Sequence, residues 1–131
     1  MKHLIYILLA VIILTGCKKE TEPGMIELNE EVSMKTGVIY RSPSFDFSVK
    51  VLEINDSRCP TGVVCIWMGV ATVRFEVKEK QTSELVLDTF QHRSDTLNNH
   101  IFRLIDVLPY PVWQKDIPDS EKKVILEITR L

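Results

Sequence analysis

Residues 45–54 set the rhythm of this chain: Phe45, Phe47, Val49 and Val51 are separated by Asp46, Ser48 and Lys50, and the apolar phase then moves by one residue to Leu52 and Ile54. A period of two puts alternate side chains on opposite faces of a strand. A one-residue change of phase inside it predicts a β-bulge near Val51 and Leu52. The same period returns further on, where Trp67, Gly69, Ala71, Val73, Phe75 and Val77 share one face and Met68, Val70, Thr72, Arg74, Glu76 and Lys78 the other. Between the two segments lie Asn55, Asp56, Ser57, Pro60 and Gly62, residues that form turns through side-chain hydrogen bonds or special backbone angles. The two strands are therefore expected to pair antiparallel across a wide connection.

Weaker patterns surround this pair. Ile26, Leu28, Val32 and Met34 suggest a short strand or extended segment, and Val38, Ile39 and Tyr40 a short strand after Gly37. Leu85, Val86, Leu87 and Phe90 predict a further strand, followed by a polar connection over 91–99. In 101–108, Ile101, Arg103, Ile105 and Val107 oppose Phe102, Leu104, Asp106 and Leu108, so both faces are largely apolar, as in a strand central to a sheet. Pro109 and Pro111 lack the amide donor a ladder needs, so 109–113 is expected in polyproline II or turn geometry. Val124, Leu126 and Ile128 close the chain with a terminal strand. Six or seven short, mainly antiparallel strands and no helical period after residue 24 predict an all-β fold, a single small β-sandwich or partly closed barrel.

The N-terminus follows a different rule. Met1, Lys2 and His3 precede an unbroken apolar run over 4–14. Eleven residues fall short of the roughly 20 that span a bilayer as a helix, but they suit the core of a secretory signal. Leu14, Thr15, Gly16 and Cys17 then resemble the lipobox of bacterial lipoproteins. That resemblance implies cleavage before Cys17 and attachment of diacylglycerol to its thiol, giving a signal peptide over 1–16, a lipidated Cys17 with a polar tether over 17–24, and a β-domain over 25–131. The membrane partner is then the lipid on Cys17. Lys18 is not the aspartate that signals inner-membrane retention in some bacteria, which favours the outer membrane, facing either the periplasm or the outside.

Lipidation also resolves the cysteine count, because three cysteines in an exported chain leave one unpaired. With Cys17 acylated, Cys59 and Cys65 are expected to form a disulfide in the oxidising envelope. Their spacing is not the Cys-x-x-Cys of redox motifs, and it is far too short for the inter-sheet bridge of an immunoglobulin domain. Removing Lys2 leaves 15 basic residues (16 less one) against 18 acidic ones. With no basic surplus and no aromatics interleaved with basic residues, the footprint of a nucleic-acid binder is missing.

The run Asp56-Ser57-Arg58-Cys59-Pro60, with Val63, Cys65, Trp67 and Gly69, resembles a family of small uncharacterised bacterial exported proteins and lipoproteins, many of them from Bacteroidetes. The likeness extends more loosely from about residue 34 to 131. Met68 stands where that pattern more often has a small residue. The family implies a β-rich envelope protein and brings no catalytic residues with it.

The remaining candidates are few. Asp56 is expected to cap the turn and Arg58 to bond nearby carbonyls or carboxylates. Ser57 has no recognisable partner base, and His92 and His100 lie eight residues apart across a polar connection where, with Cys17 acylated and the other cysteines oxidised, no local metal-ligand cluster remains. Trp67 is expected to pack against the disulfide. Tyr110 and Trp113 either form an exposed aromatic platform for a sugar or peptide or fold back over the sandwich edge. No phosphate loop, nucleophile elbow or His-Glu-x-x-His motif is present, and no cofactor is implied. The expectation is a non-enzymatic envelope lipoprotein that binds a protein or an envelope polymer such as a glycan through the stapled loop residues Thr61, Gly62, Val63 and Val64, with Tyr110 and Trp113 alongside. The alternatives are a structural lipoprotein supporting an envelope complex and a protease inhibitor presenting the Cys59 to Cys65 loop. An enzyme assembled from Asp56, Ser57, His92 or His100 ranks last.

Overall fold

A computed structural model describes residues 24–131. The proposed signal peptide and Cys17 lie outside the described residues. Nine strands follow in chain order: β1 (Gly24–Met25), β2 (Glu31–Met34), β3 (Ile39–Arg41), β4 (Ser48–Asp56), β5 (Ala71–Lys78), β6 (Thr82–Asp88), β7 (Ser94–Leu97), β8 (His100–Leu108) and β9 (Lys123–Arg130). They form a five-stranded sheet ordered β1-β3-β4-β5-β6 and a four-stranded sheet ordered β2-β9-β8-β7. All pairings but the short β1–β3 contact are antiparallel. Each sheet keeps two free edges, so the fold is a β-sandwich and not a closed barrel.

The core is the meeting of the two inner faces. Val49, Val51, Ile54, Val73, Phe75 and Val77 from the larger sheet meet Phe102, Leu104, Val107, Val124, Leu126 and Ile128 from the smaller one. The bulge expected at Val51 and Leu52 is present: Val51 pairs with Phe75 and Glu53 with Arg74, leaving Leu52 as the extra residue. Its consequence is that Ile54 returns to the buried face, opposite Val73, while Glu53 stays outside and pairs with Arg74 at 3.0 Å.

A second bulge corrects the reading of β8. Leu104 pairs with Leu126 and Asp106 with Ile125, so Ile105 is the extra residue and Val107 turns inward. The strand does lie inside its sheet, between β7 and β9. Its two-sided apolar pattern, however, comes from the phase change and not from burial of both faces. The bulge also keeps Asp106 out of the core, where strict alternation after Phe102 and Leu104 would place it.

Two further boundaries differ from expectation. The polar connection over 91–99 contains β7, an edge strand of exposed Ser94, Asp95 and Thr96 whose pairing with β8 carries no apolar signature. And β5 begins at Ala71, four residues after Trp67. The strand cannot start earlier because Gly69 has a φ of 67° and lies so close to the backbone of Ser57 that a Cβ there would meet its carbonyl oxygen at 1.9 Å.

Candidate functional site

The end of the sandwich where β4 gives way to β5 is built around a buried charge. Beyond β4 the hairpin continues irregularly, with Ser57 N donating to Val70 O at 2.9 Å and Cys59 N to Met68 O at 2.7 Å. Between these rungs Arg58 folds inward and is only 7% exposed. Its Nε and one Nη donate to the two oxygens of Asp56, at 2.8 and 2.7 Å. The same Nη reaches Val107 O at 2.7 Å, and the other reaches Asp106 Oδ1 at 3.1 Å. The guanidinium carbon lies 4.5 Å from the centre of the Tyr110 ring. Burial works against the charge, but the hydrogen bonds and negative charge of Asp56, with the charge of Asp106 behind them, outweigh it and raise the arginine pKa. Arg58 thus ties the loop to the bulge of β8 and to the segment after it. Asp56 also accepts from Arg58 N at 3.2 Å, the turn-capping role expected of it.

The loop itself is held at two further places. Cys59 and Cys65 are bonded, with Cα atoms 5.9 Å apart. Thr61 N donates to Pro111 O at 2.9 Å and Trp113 N donates to Thr61 O at 3.1 Å, a short parallel bridge to the segment that follows the cis Leu108–Pro109 bond. Gly62 takes a φ of 94°, which bends the loop tip. The fold therefore brings the two candidate regions, 61–64 and Tyr110 with Trp113, onto one surface. Val64, Tyr110 and Trp113 are exposed there, Val63 is half-buried, and Thr61 is committed through its backbone to the neighbouring segment.

Other residues on this surface escape sequence reading. Ile66 and Trp67 are 110% and 72% exposed and Met68 also faces solvent, so Trp67 stays outside the core although it shares the parity of Val73 and Phe75. Phe90, read as part of a strand, stands in the loop after β6. Asp88 Oδ1 accepts from the amides of Phe90, Gln91 and His92 at 2.7, 2.7 and 3.0 Å. Partial burial opposes the charge of Asp88, yet these amides, led by that of His92, prevail and hold its pKa below the usual carboxylate value. The turn thereby fixes a phenyl ring that is 57% exposed. Ile66, Trp67, Met68, Gly69 and Phe90 line a depression of about 230 Å3. Two signals could have marked it: three consecutive large apolar residues cannot share one face of a strand, and Phe90 follows the turn formers Asp88 and Thr89.

The residues considered for catalysis are not joined. Ser57 Oγ donates to Val70 O at 2.8 Å, Asp56 is engaged by Arg58, and the ring Nε2 of His92 lies 3.7 Å from Asp95 Oδ2. His100 is buried against Phe45 and Phe47, its Nδ1 at 2.8 Å from Asn98 O. Among the described residues no three His, Cys, Asp or Glu side chains gather as metal ligands.

No protein-family model, curated protein or solved structure matches this chain.

Proposed function

We propose that this protein is a non-enzymatic lipoprotein of the bacterial envelope whose β-sandwich binds a macromolecular partner, a protein or an envelope polymer, through the end formed by the disulfide loop, Phe90 and residues 110–113. One observation carries this reading. Of the 13 large apolar side chains exposed among the described residues, eight (Val64, Ile66, Trp67, Met68, Phe90, Tyr110, Val112 and Trp113) belong to this one end. Apolar surface gathered in one place marks an interaction site, whereas scattered exposed residues do not. Trp, Tyr, Phe and Met are also the residues enriched at the cores of protein interfaces.

Rigidity strengthens the argument. The disulfide, the Thr61 bridge and the Arg58 cluster hold the loop in place before any partner arrives, which lowers the conformational cost of association. The lipid anchor is part of the same proposal and rests on the apolar run over 4–14 and on Cys17 after Thr15 and Gly16. Acylation would confine the binding end to the membrane surface and raise its effective concentration toward any envelope partner. Metabolic labelling with a radioactive fatty acid tests it: label is expected in the native chain and absent from Cys17→Ser.

The binding reading is tested by co-purification from the envelope of cells expressing the full-length tagged chain, native or carrying Ile66→Ser and Trp67→Ser. A partner retained by the native chain and lost from the variant is the expected result. A partner retained equally by both would move the interface elsewhere and favour a structural lipoprotein of an envelope complex.

A further inference from the structure

Beside the loop tip lies a second concavity of different chemistry, a cleft of about 250 Å3 where the ends of the two sheets meet. Its lining includes the aromatic residues Phe90 and Tyr110 together with Arg93, Asp106 and Thr89, around the buried Arg58. The polar groups are fixed but incompletely used. Arg93 Nε donates to Thr89 O at 2.8 Å, while its terminal nitrogens have no hydrogen-bond or ion-pair partner among the described residues. Asp106 Oδ1 accepts from Arg58 at 3.1 Å and from Val107 N at 2.7 Å, and Oδ2 has no partner on a side chain that is 46% exposed. Thr89 Oγ1 accepts from Ala71 N at 3.0 Å, which leaves its own proton to donate.

These groups define what would fit. Arg58 is already neutralised by Asp56, so the cleft offers one cation, Arg93, and one carboxylate oxygen, and favours neither an anion nor a cation by charge. A complementary ligand is neutral, carries donors and acceptors side by side, and presents C–H bonds to aromatic rings, whose faces are the negative part of their quadrupole. Those are the properties of a sugar ring, whose hydroxyls both donate and accept. The volume lies below the roughly 300–1,000 Å3 of sites for drug-sized ligands, which suits one sugar residue and not a longer segment. We infer that this cleft is a subsite for a single neutral sugar residue of an envelope glycan, with Arg93 donating to and Asp106 accepting from neighbouring hydroxyls.

The inference deepens the reading of this end as a binding end and can fail separately from it. The test applies the full-length chain in detergent to an array of bacterial surface and cell-wall saccharides, and then titrates the retained saccharide calorimetrically. Arg93→Gln and Asp106→Asn are each expected to weaken binding by about tenfold or more, as for loss of a hydrogen bond to a charged group. Arg93 is exposed and Asn keeps an acceptor for Arg58, so both variants are expected to fold, which circular dichroism verifies. Val86→Ser, on the outer face of the five-stranded sheet, is expected to leave the saccharide affinity unchanged. Retention of no saccharide, or an affinity unaltered by Arg93→Gln, overturns the inference. So does retention, on a parallel peptide array, of peptides alone. A protein partner still held in any of these cases would leave the broader binding reading standing.

Discussion

The middle of the sandwich and its loop end place the same kinds of residue on opposite sides of the surface. In the middle, Val73, Phe75 and Val77 point inward and Arg74, Glu76 and Lys78 outward along a single strand. At the loop end Arg58 and Asp56 are buried, while Ile66, Trp67 and Met68 face solvent. Burial of apolar area stabilises the fold by about 25 cal/mol per Å2, so the middle arrangement needs no cause beyond folding. Leaving three large apolar residues in water beside a desolvated ion pair does not help the chain fold. In the proposed reading this exposed apolar surface is what a partner would cover, and the buried pair holds it in shape.

Substitutions that attack this contrast differ in size. Phe102→Ala, in the middle of the core, is expected to cost about 3–5 kcal/mol, through lost burial and the cavity left behind, read from chemical denaturation. Arg58→Met at the loop end is expected to be similarly severe, about 3–5 kcal/mol, because it strands the Asp56 carboxylate in a buried site. The double change Asp56→Leu with Arg58→Met should be milder than Arg58→Met alone, since no uncompensated charge remains. Equal losses for the single and double variants would show that the hydrogen bond to Val107 O, and not charge, is the larger contribution.

Removing the disulfide with Cys59→Ser and Cys65→Ser is expected to cost roughly 2 kcal/mol, the chain-entropy value for so short a loop. Asp88 gives a smaller, pH-dependent effect. Its folded-state pKa is depressed, so its stabilising contribution is fully present above the unfolded value of about 3.9 and is lost as pH falls through the folded value. The stability gap between the native chain and Asp88→Asn should accordingly be present at neutral pH and close below about pH 4. A gap independent of pH would contradict the assigned hydrogen bonds. Smallest of all, Ile66→Ser with Trp67→Ser is expected to change stability by less than about 0.5 kcal/mol, although it removes two large exposed apolar side chains.

Legibility in the sequence followed the same division. Wherever one sheet face is buried, the period of two reports it, and even the extra residue at Leu52 was readable because it shifts that period. The bulge at Ile105 produced the same kind of shift, but apolar residues on both sides of it imitated a strand buried on two faces. β7 was illegible because Ser94, Asp95 and Thr96 make an edge strand through backbone pairing alone. At the loop end hydrophobicity was a misleading guide: Trp67 continues the parity of β5 but precedes the turn at Gly69, and nothing local shows that Arg58 is covered by residues 48 and 49 positions away. The pairing of the disulfide loop with residues 111–113 is likewise long-range and carries no sequence signature.

The most direct test of the central claim is photocrosslinking in living cells from two positions of the full-length chain. A photoreactive phenylalanine analogue would replace Trp67 at the loop end in one variant and Val86 on the outer face of the five-stranded sheet in the other. A discrete adduct with an envelope macromolecule from position 67 and none from position 86 is the predicted outcome. No adduct from position 67, or the same adduct from both positions, would contradict the account.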